Sequence, residues 1–321
     1  MASFSRKSLI TFCIVVFVLL LIPVLIFYQP DRHPGQLMDR YGLHCSELMQ
    51  VQGMEVHICA EGEGTPLLLL HGTGASLHTW TDWAMELRKE YRVIRVDIPG
   101  FGLTGPHTEA DYSAASYVSF VNALADSLSL DRFHLGGNSL GGMIAWQYAA
   151  AHPDRLLSLL LIDPSGIPMD REPPLALRLA QSALTKPVVR HLTPRFLVRS
   201  SLEEVYYYDS LVEEDLVQRY FDLLLRDGNR QAFIDRANTP YTYDSTLLEK
   251  ITAPTLVMWG EQDVWIPVGN ASTFDRLISD AQIHVFDSAG HVPMEEIPER
   301  SVKVYNKFLQ LHQSADSVAL R

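Results

Sequence analysis

Between an apolar stretch, Phe133-His134-Leu135-Gly136, and a run of helix formers beginning at Met143, the chain reads Gly137-Asn138-Ser139-Leu140-Gly141-Gly142. Strand, sharp turn and helix in that order place Ser139 at the turn. A G-x-S-x-G in this setting holds the serine in a strained backbone conformation that exposes its oxygen, and it needs glycine two residues before and two after. Gly142, Ala145 and Ala149 then let the helix lie close to the strand.

The same alternation extends to both sides. Residues 67–70, 93–96 and 156–162 are short apolar runs of the kind buried on both faces of a parallel sheet. Leu77, Trp80, Ala84 and Leu87 recur at helical spacing, as do Tyr117, Val121, Leu124 and Leu128. Strand alternating with helix implies right-handed crossovers and helices on both faces of a mostly parallel sheet. From about residue 167 to 248 the rhythm breaks, and helical stretches at 175–184, 187–197 and 211–225 replace it. It resumes with strands at 255–258 and 283–286, a helix near 270–278, and a last helix marked by Val302, Tyr305, Phe308 and Leu309. The expected division is therefore an α/β core at 31–166 and 249–312, a helical cap at 167–248 over the carboxyl ends of the strands, and a tail at 313–321.

Ahead of the core, residues 9–28 carry no charge and follow Arg6 and Lys7. At 1.5 Å per residue they reach about 30 Å, the hydrocarbon thickness of a bilayer. The run is longer than a signal peptide's apolar region and ends without small residues, so residues 1–30 read as an uncleaved membrane anchor. Arg6 and Lys7 favour a cytoplasmic amino terminus and an exported body. Cys45 and Cys59 flank a hairpin turning at Gln52-Gly53 and fall nearly opposite each other. A disulfide outside the cytoplasm is one reading, and two free thiols on adjacent strands is the preferred one. The net charge of −12, with no clustered Lys or Arg, excludes a nucleic-acid partner.

A serine hydroxyl needs a base, and the base needs a group to orient it. His291 follows the last strand and is the candidate base; Asp263 follows the strand before it and is the candidate acid. Ser139, Asp263 and His291 all lie just beyond strand ends, where they can converge. Asp163 also ends a strand and is the competing acid, though before Pro164 it reads as a turn residue. His71 is the rival histidine and reads as locally packed. For the oxyanion, the Leu140 N–H supplies one donor and the Thr73 N–H, in His71-Gly72-Thr73-Gly74, the second. No paired Cys/His spacing suggests a metal.

Together, His71-Gly72-Thr73-Gly74, Asp97-Ile98-Pro99-Gly100-Phe101-Gly102, the turn at 137–142, Gly260-Glu261-Gln262-Asp263 and Gly290-His291 resemble an α/β-hydrolase-fold serine hydrolase over roughly residues 45–312. The resemblance implies esterase- or lipase-like cleavage of a small-molecule ester or lipid-like substrate through an acyl-enzyme, without a cofactor. Ser139 argues against the branches of the fold that carry aspartate at this turn. Asn138 is similar to the residue found in meta-cleavage-product hydrolases, which break C–C bonds of dienoates. Those usually carry Trp directly after the catalytic histidine, where this chain has Val292.

Overall fold

A computed structural model describes residues 6–319, the side chains in parts of the first and last helices excepted. Eight strands form one sheet: β1 (Ser46–Val51), β2 (Met54–Glu61), β3 (Thr65–Leu70), β4 (Tyr91–Val96), β5 (Phe133–Asn138), β6 (Leu156–Ile162), β7 (Thr255–Gly260) and β8 (Ala281–Phe286). Their order is β1-β2-β4-β3-β5-β6-β7-β8. The first two pairings are antiparallel and the rest parallel. The hairpin turns where expected. Gln52 and Gly53 both have positive φ, 49° and 76°, which suits the right-handed twist of a two-residue hairpin.

β3 shows why the central strands are apolar throughout. Leu67 and Leu69 enter a cluster with Trp83, Leu87 and Tyr305, while Leu68 and Leu70 enter one with Phe120, Val121 and Trp146. Side chains alternate between faces, so burying both requires an unbroken apolar run. Each fully buried leucine contributes about 1.5–3 kcal/mol. Helices Thr81–Leu87 and Pro298–Ala319 cover the first face; Ala114–Ser127 and Leu140–Ala151 cover the second. Ser113 starts Ala114–Ser127 by accepting the Ser116 N–H at 3.2 Å. The last helix continues past His312 to Ala319.

Between β6 and β7 the described chain is helical: Leu175–Gln181, Lys186–Val189, Arg195–Val205, Glu214–Leu224 and Asn229–Asn238, with one single-turn piece at Asp209–Leu211 and another at Ser245–Lys250. The continuous helix expected at 187–197 is instead two, Lys186–Val189 and Arg195–Val205, with Pro194 at the start of the second. The segment after the first helix is tied to this block. Thr193 N–H donates to Phe27 O at 3.2 Å, Arg32 N–H to Leu225 O at 2.7 Å, and Asp227 N–H to Arg32 O at 3.0 Å. Arg230 binds Asp31 and, at 2.9 Å, Gln29 O. Buried Asp222 gathers Arg32 at 2.9 Å, Arg40 at 3.1 Å and the Tyr41 hydroxyl at 2.7 Å.

One expectation falls partly outside the described residues, and one changes here. The span proposed at 9–28 falls on a helix, Arg6–Phe27, but Leu9 and Cys13 are among its side chains outside the described residues. Among the described residues, no helix is long and apolar enough to cross a membrane. Cys45 and Cys59, read as free thiols, are joined in a disulfide. The register pairs Ser46 with Cys59, which brings the Cys45 and Cys59 Cα atoms to 4.9 Å, within bridging distance. Closing a loop of this length restricts the unfolded chain by about 3 kcal/mol. A thiol reductant is therefore expected to lower the denaturation midpoint of the wild type and leave a Cys45→Ser/Cys59→Ser variant unmoved. Equal midpoints with and without reductant would show that the bridge adds no stability.

Candidate active site

The turn after β5 is built by two close approaches. A Cβ at Gly137 would lie 2.2 Å from Gly141 O, and one at Gly141 would lie 2.3 Å from Leu70 O. Only glycine lets strand, helix and the neighbouring β3 meet there. Ser139 between them has φ 54° and ψ −115°, a conformation that side chains rarely adopt. Its N–H donates to Ile162 O at 3.0 Å. Its carbonyl accepts from Met143 N–H and Ser165 N–H at 3.0 Å each, and from Ser165 Oγ at 3.1 Å.

His291 and Asp263 meet as the sequence anticipates. Asp263 Oδ2 accepts from His291 Nδ1 at 2.6 Å, and its Oδ1 accepts from Trp265 N–H at 2.7 Å and Ile266 N–H at 2.9 Å. With Nδ1–H engaged, Nε2 carries the lone pair. Nε2 is buried and has no hydrogen-bond partner. No hydrogen bond joins it to Ser139 among the described residues. The two are brought together through Asn138, whose Nδ2 donates to His291 O at 3.0 Å and to Ile162 O at 3.2 Å.

The loop after β3 passes over the serine. A Cβ on Gly72 would lie 3.1 Å from Ser139 Cβ. Among the described residues, neither the Thr73 nor the Leu140 N–H donates to a protein acceptor. His71 packs as expected: Nδ1 bonds Gly72 O at 2.7 Å and Nε2 accepts Ile98 N–H at 3.1 Å. Burial lowers its pKa, so it stands neutral. A second Ser-His-Asp arrangement lies elsewhere, with Ser46 Oγ 2.7 Å from His57 Nε2 and His57 Nδ1 2.7 Å from Asp97 Oδ2. It is structural. Ser46 Oγ is already occupied by Leu43 N–H at 2.8 Å, and Asp97 also anchors Leu77 N–H at 2.6 Å and Leu103 N–H at 2.7 Å. Burial pushes the Asp97 carboxyl up, but His57 and the Leu103 N–H outweigh it and hold it at about 2.

The helical block reaches the site from above. Val205 O accepts His291 N–H at 2.8 Å, and Glu204 accepts Trp265 Nε1–H at 3.0 Å. Glu296 was not singled out in the sequence. Its carboxylate accepts Gly290 N–H at 2.8 Å, Tyr207 N–H at 2.7 Å and Val292 N–H at 3.4 Å, which fixes the loop that carries His291. One of two adjacent glutamates gives no sign in sequence that it turns inward. Asp163 is fully buried, and its carboxyl lies with Asp263 and His291 in a group whose facing atoms are all within 4.8 Å.

An α/β sheet with a serine on a strained turn after β5, and a buried acid–histidine pair after β7 and β8, defines a class. The chain belongs to the alpha/beta hydrolase fold family, whose model matches residues 65–298. It is an alpha/beta hydrolase. The monoacylglycerol lipase ABHD6 of Mus musculus is 27% identical over 321 residues, covering 94% of this chain and 95% of that one. The 2-hydroxymuconate semialdehyde hydrolase of Pseudomonas sp. (strain CF600) is 28% identical over 279 residues, covering 84% of this chain and 94% of that one. A membrane phospholipase A described as a bacterial virulence factor superposes with a TM-score of 0.71 at 27% identity, covering 96% of this chain and 97% of that one.

Glu296→Ala leaves Gly290 N–H and Tyr207 N–H without their acceptor. It is expected to lower unfolding free energy by about 1–3 kcal/mol and to lower kcat through the His291 loop. A denaturant titration that matches the wild type would remove Glu296 from this role.

Proposed function

We propose that the protein is a serine hydrolase of carboxylic esters, acting on a lipid-like small molecule through an acyl-enzyme. The observation that carries the reading is the buried, unpartnered Nε2 of His291, beside a serine held on a strained turn, with Nδ1 fixed by Asp263. Ser139 attacks the ester carbonyl while His291 takes its proton at Nε2. Asp263 holds the tautomer and stabilises the imidazolium. The Leu140 and Thr73 amides receive the developing oxyanion, each such donor being worth about 3–4 kcal/mol. His291 then protonates the leaving alcohol and activates the water that frees the acid. No cofactor enters these steps.

The lipid preference rests on two further observations. The monoacylglycerol lipase and the membrane phospholipase A are matched over 94% and 96% of this chain. Val292 and Met294, after His291, join the apolar core, and Trp265 lies 5.6 Å from the His291 ring. Apolar residues packed around the histidine favour an acyl chain, each buried CH₂ of which contributes about 0.8 kcal/mol. The second reading, C–C cleavage of a dienoate, draws on the semialdehyde hydrolase relative and on Asn138 beside the serine. We read residues 167–248 as the cap that bounds the acyl site. The amino-terminal helix is read as a membrane anchor with the body outside the cytoplasm, supported by exposed Phe12, Phe17 and Leu25.

An active-site phosphonate is expected to label the wild type and spare Ser139→Ala, and Asp263→Asn is expected to lower kcat by roughly 10⁴. On p-nitrophenyl esters, kcat/KM should rise from acetate through medium chains and then fall. Negligible turnover of every ester, with rapid cleavage of a 2-hydroxy-6-oxo-dienoate, would replace this reading with the second. For the anchor, carbonate washing of membranes should leave the protein in the pellet; its release into the wash would remove the span.

A further inference from the structure

Asp163 occupies an unusual place for an acidic residue. It ends β6 with a φ of 43°, in the left-handed region, and its side chain is fully buried. The backbone turn it makes links the two halves of the site. On one side Asp163 N–H donates to Met258 O at 3.0 Å, and Oδ1 accepts Gly260 N–H at 2.9 Å, holding the end of β7. On the other side Ser165, two residues on, supplies both donors to the Ser139 carbonyl from beyond the helix. Its Oδ2 is buried and has no hydrogen-bond partner, although the Asp163 carboxyl lies within 4.8 Å of the facing atoms of Asp263 and His291.

Two carboxyl groups therefore share a dry site with one imidazole. Like charges this close, out of water, cannot both persist, and one carboxyl keeps its proton. The donors decide which. Asp263 receives three hydrogen bonds, from Trp265, Ile266 and His291, and Asp163 receives one. We propose that Asp163 is a positioning residue that stands as a neutral carboxylic acid beside the Asp263–His291 pair, so that of these two carboxyls only Asp263 carries a charge. The groups facing it are Asp263, His291 and, more distantly, Glu296. Burial first, and then the Asp263 charge, push the Asp163 carboxyl well above its ordinary range, in the same direction.

The inference rests on the Ser139–His291–Asp263 reading for its consequence in turnover. An ionised Asp163 would favour the imidazolium and move the acid limb of kcat/KM to higher pH. A neutral one adds nothing to that limb. Asp163→Asn, a neutral side chain of the same shape, should thus keep kcat/KM within about 3-fold of wild type and the acid limb within about 0.3 of a pH unit. The wild-type minus Asp163→Asn infrared difference spectrum at pH 7 should show the C=O band of a protonated acid. Absence of that band, or an acid limb displaced to lower pH by a unit or more, overturns the proposal. If Asp163→Asn does not fold, wild-type protein labelled with carbon-13 at its aspartate carboxyls supplies the same test: an isotope-shifted acid band at pH 7 supports it, and none refutes it. The band needs no turnover. If Ser139→Ala kept full ester hydrolysis, the triad reading would fail while the band still decided the state of Asp163.

Discussion

The backbone of Ser139 is the constraint from which the rest of the site follows. A non-glycine residue at φ 54° and ψ −115° carries strain of about 1–3 kcal/mol. Its N–H and its carbonyl are held by four hydrogen bonds, from β6, the following helix and Ser165. Each contributes roughly 0.5–1.5 kcal/mol net, enough together to offset the strain. The same bonds fix the distance from β5 to the chain leaving β6, and so where the acid end of the site can stand. Gly137 and Gly141 are the counterpart of this arrangement, since any side chain there would separate the strand from the helix.

The two Ser-His-Asp clusters show how little residue identity decides by itself. Around Asp97 every acceptor is filled by a fixed donor, and Ser46 Oγ is held by a backbone N–H. That cluster braces the loop after β4. Around Asp263 the acid is equally well satisfied, but the far nitrogen of the imidazole is left free and faces inward. The difference lies in one uncommitted atom, and in whether the serine sits on a strand or on a strained turn.

The elements that carry periodicity were legible in the sequence. β6 is bounded as the apolar run predicts, and the hairpin turn at Gln52-Gly53 follows from its residues. Ser139, Asp263 and His291 stand out because each follows a strand in a parallel sheet. What the sequence withheld depends on through-space geometry. Pairing of Cys45 with Cys59 depends on the strand register to within one residue, which the position of the hairpin turn only approximates. The inward turn of Glu296 is set by the Gly290 and Tyr207 amides, which come from loops far apart in the chain. Helices Pro34–Tyr41 and Asn229–Asn238 are short or weakly apolar, and contacts with distant segments hold them rather than a pattern of their own.

The amino-terminal segment gives the molecule a mechanical asymmetry. From Phe27 to Tyr41 it binds Thr193, Asp222, Leu225, Asp227 and Arg230 in the helical block between β6 and β7, and Tyr41 O also accepts His78 Nε2–H at 2.8 Å after β3. The block in turn meets the His291 loop through Val205 and Glu296. A pull or tilt applied to the first helix is thus shared between this block and the loop after β3. The block is held between two tethers, one from the amino-terminal segment and one at the histidine loop.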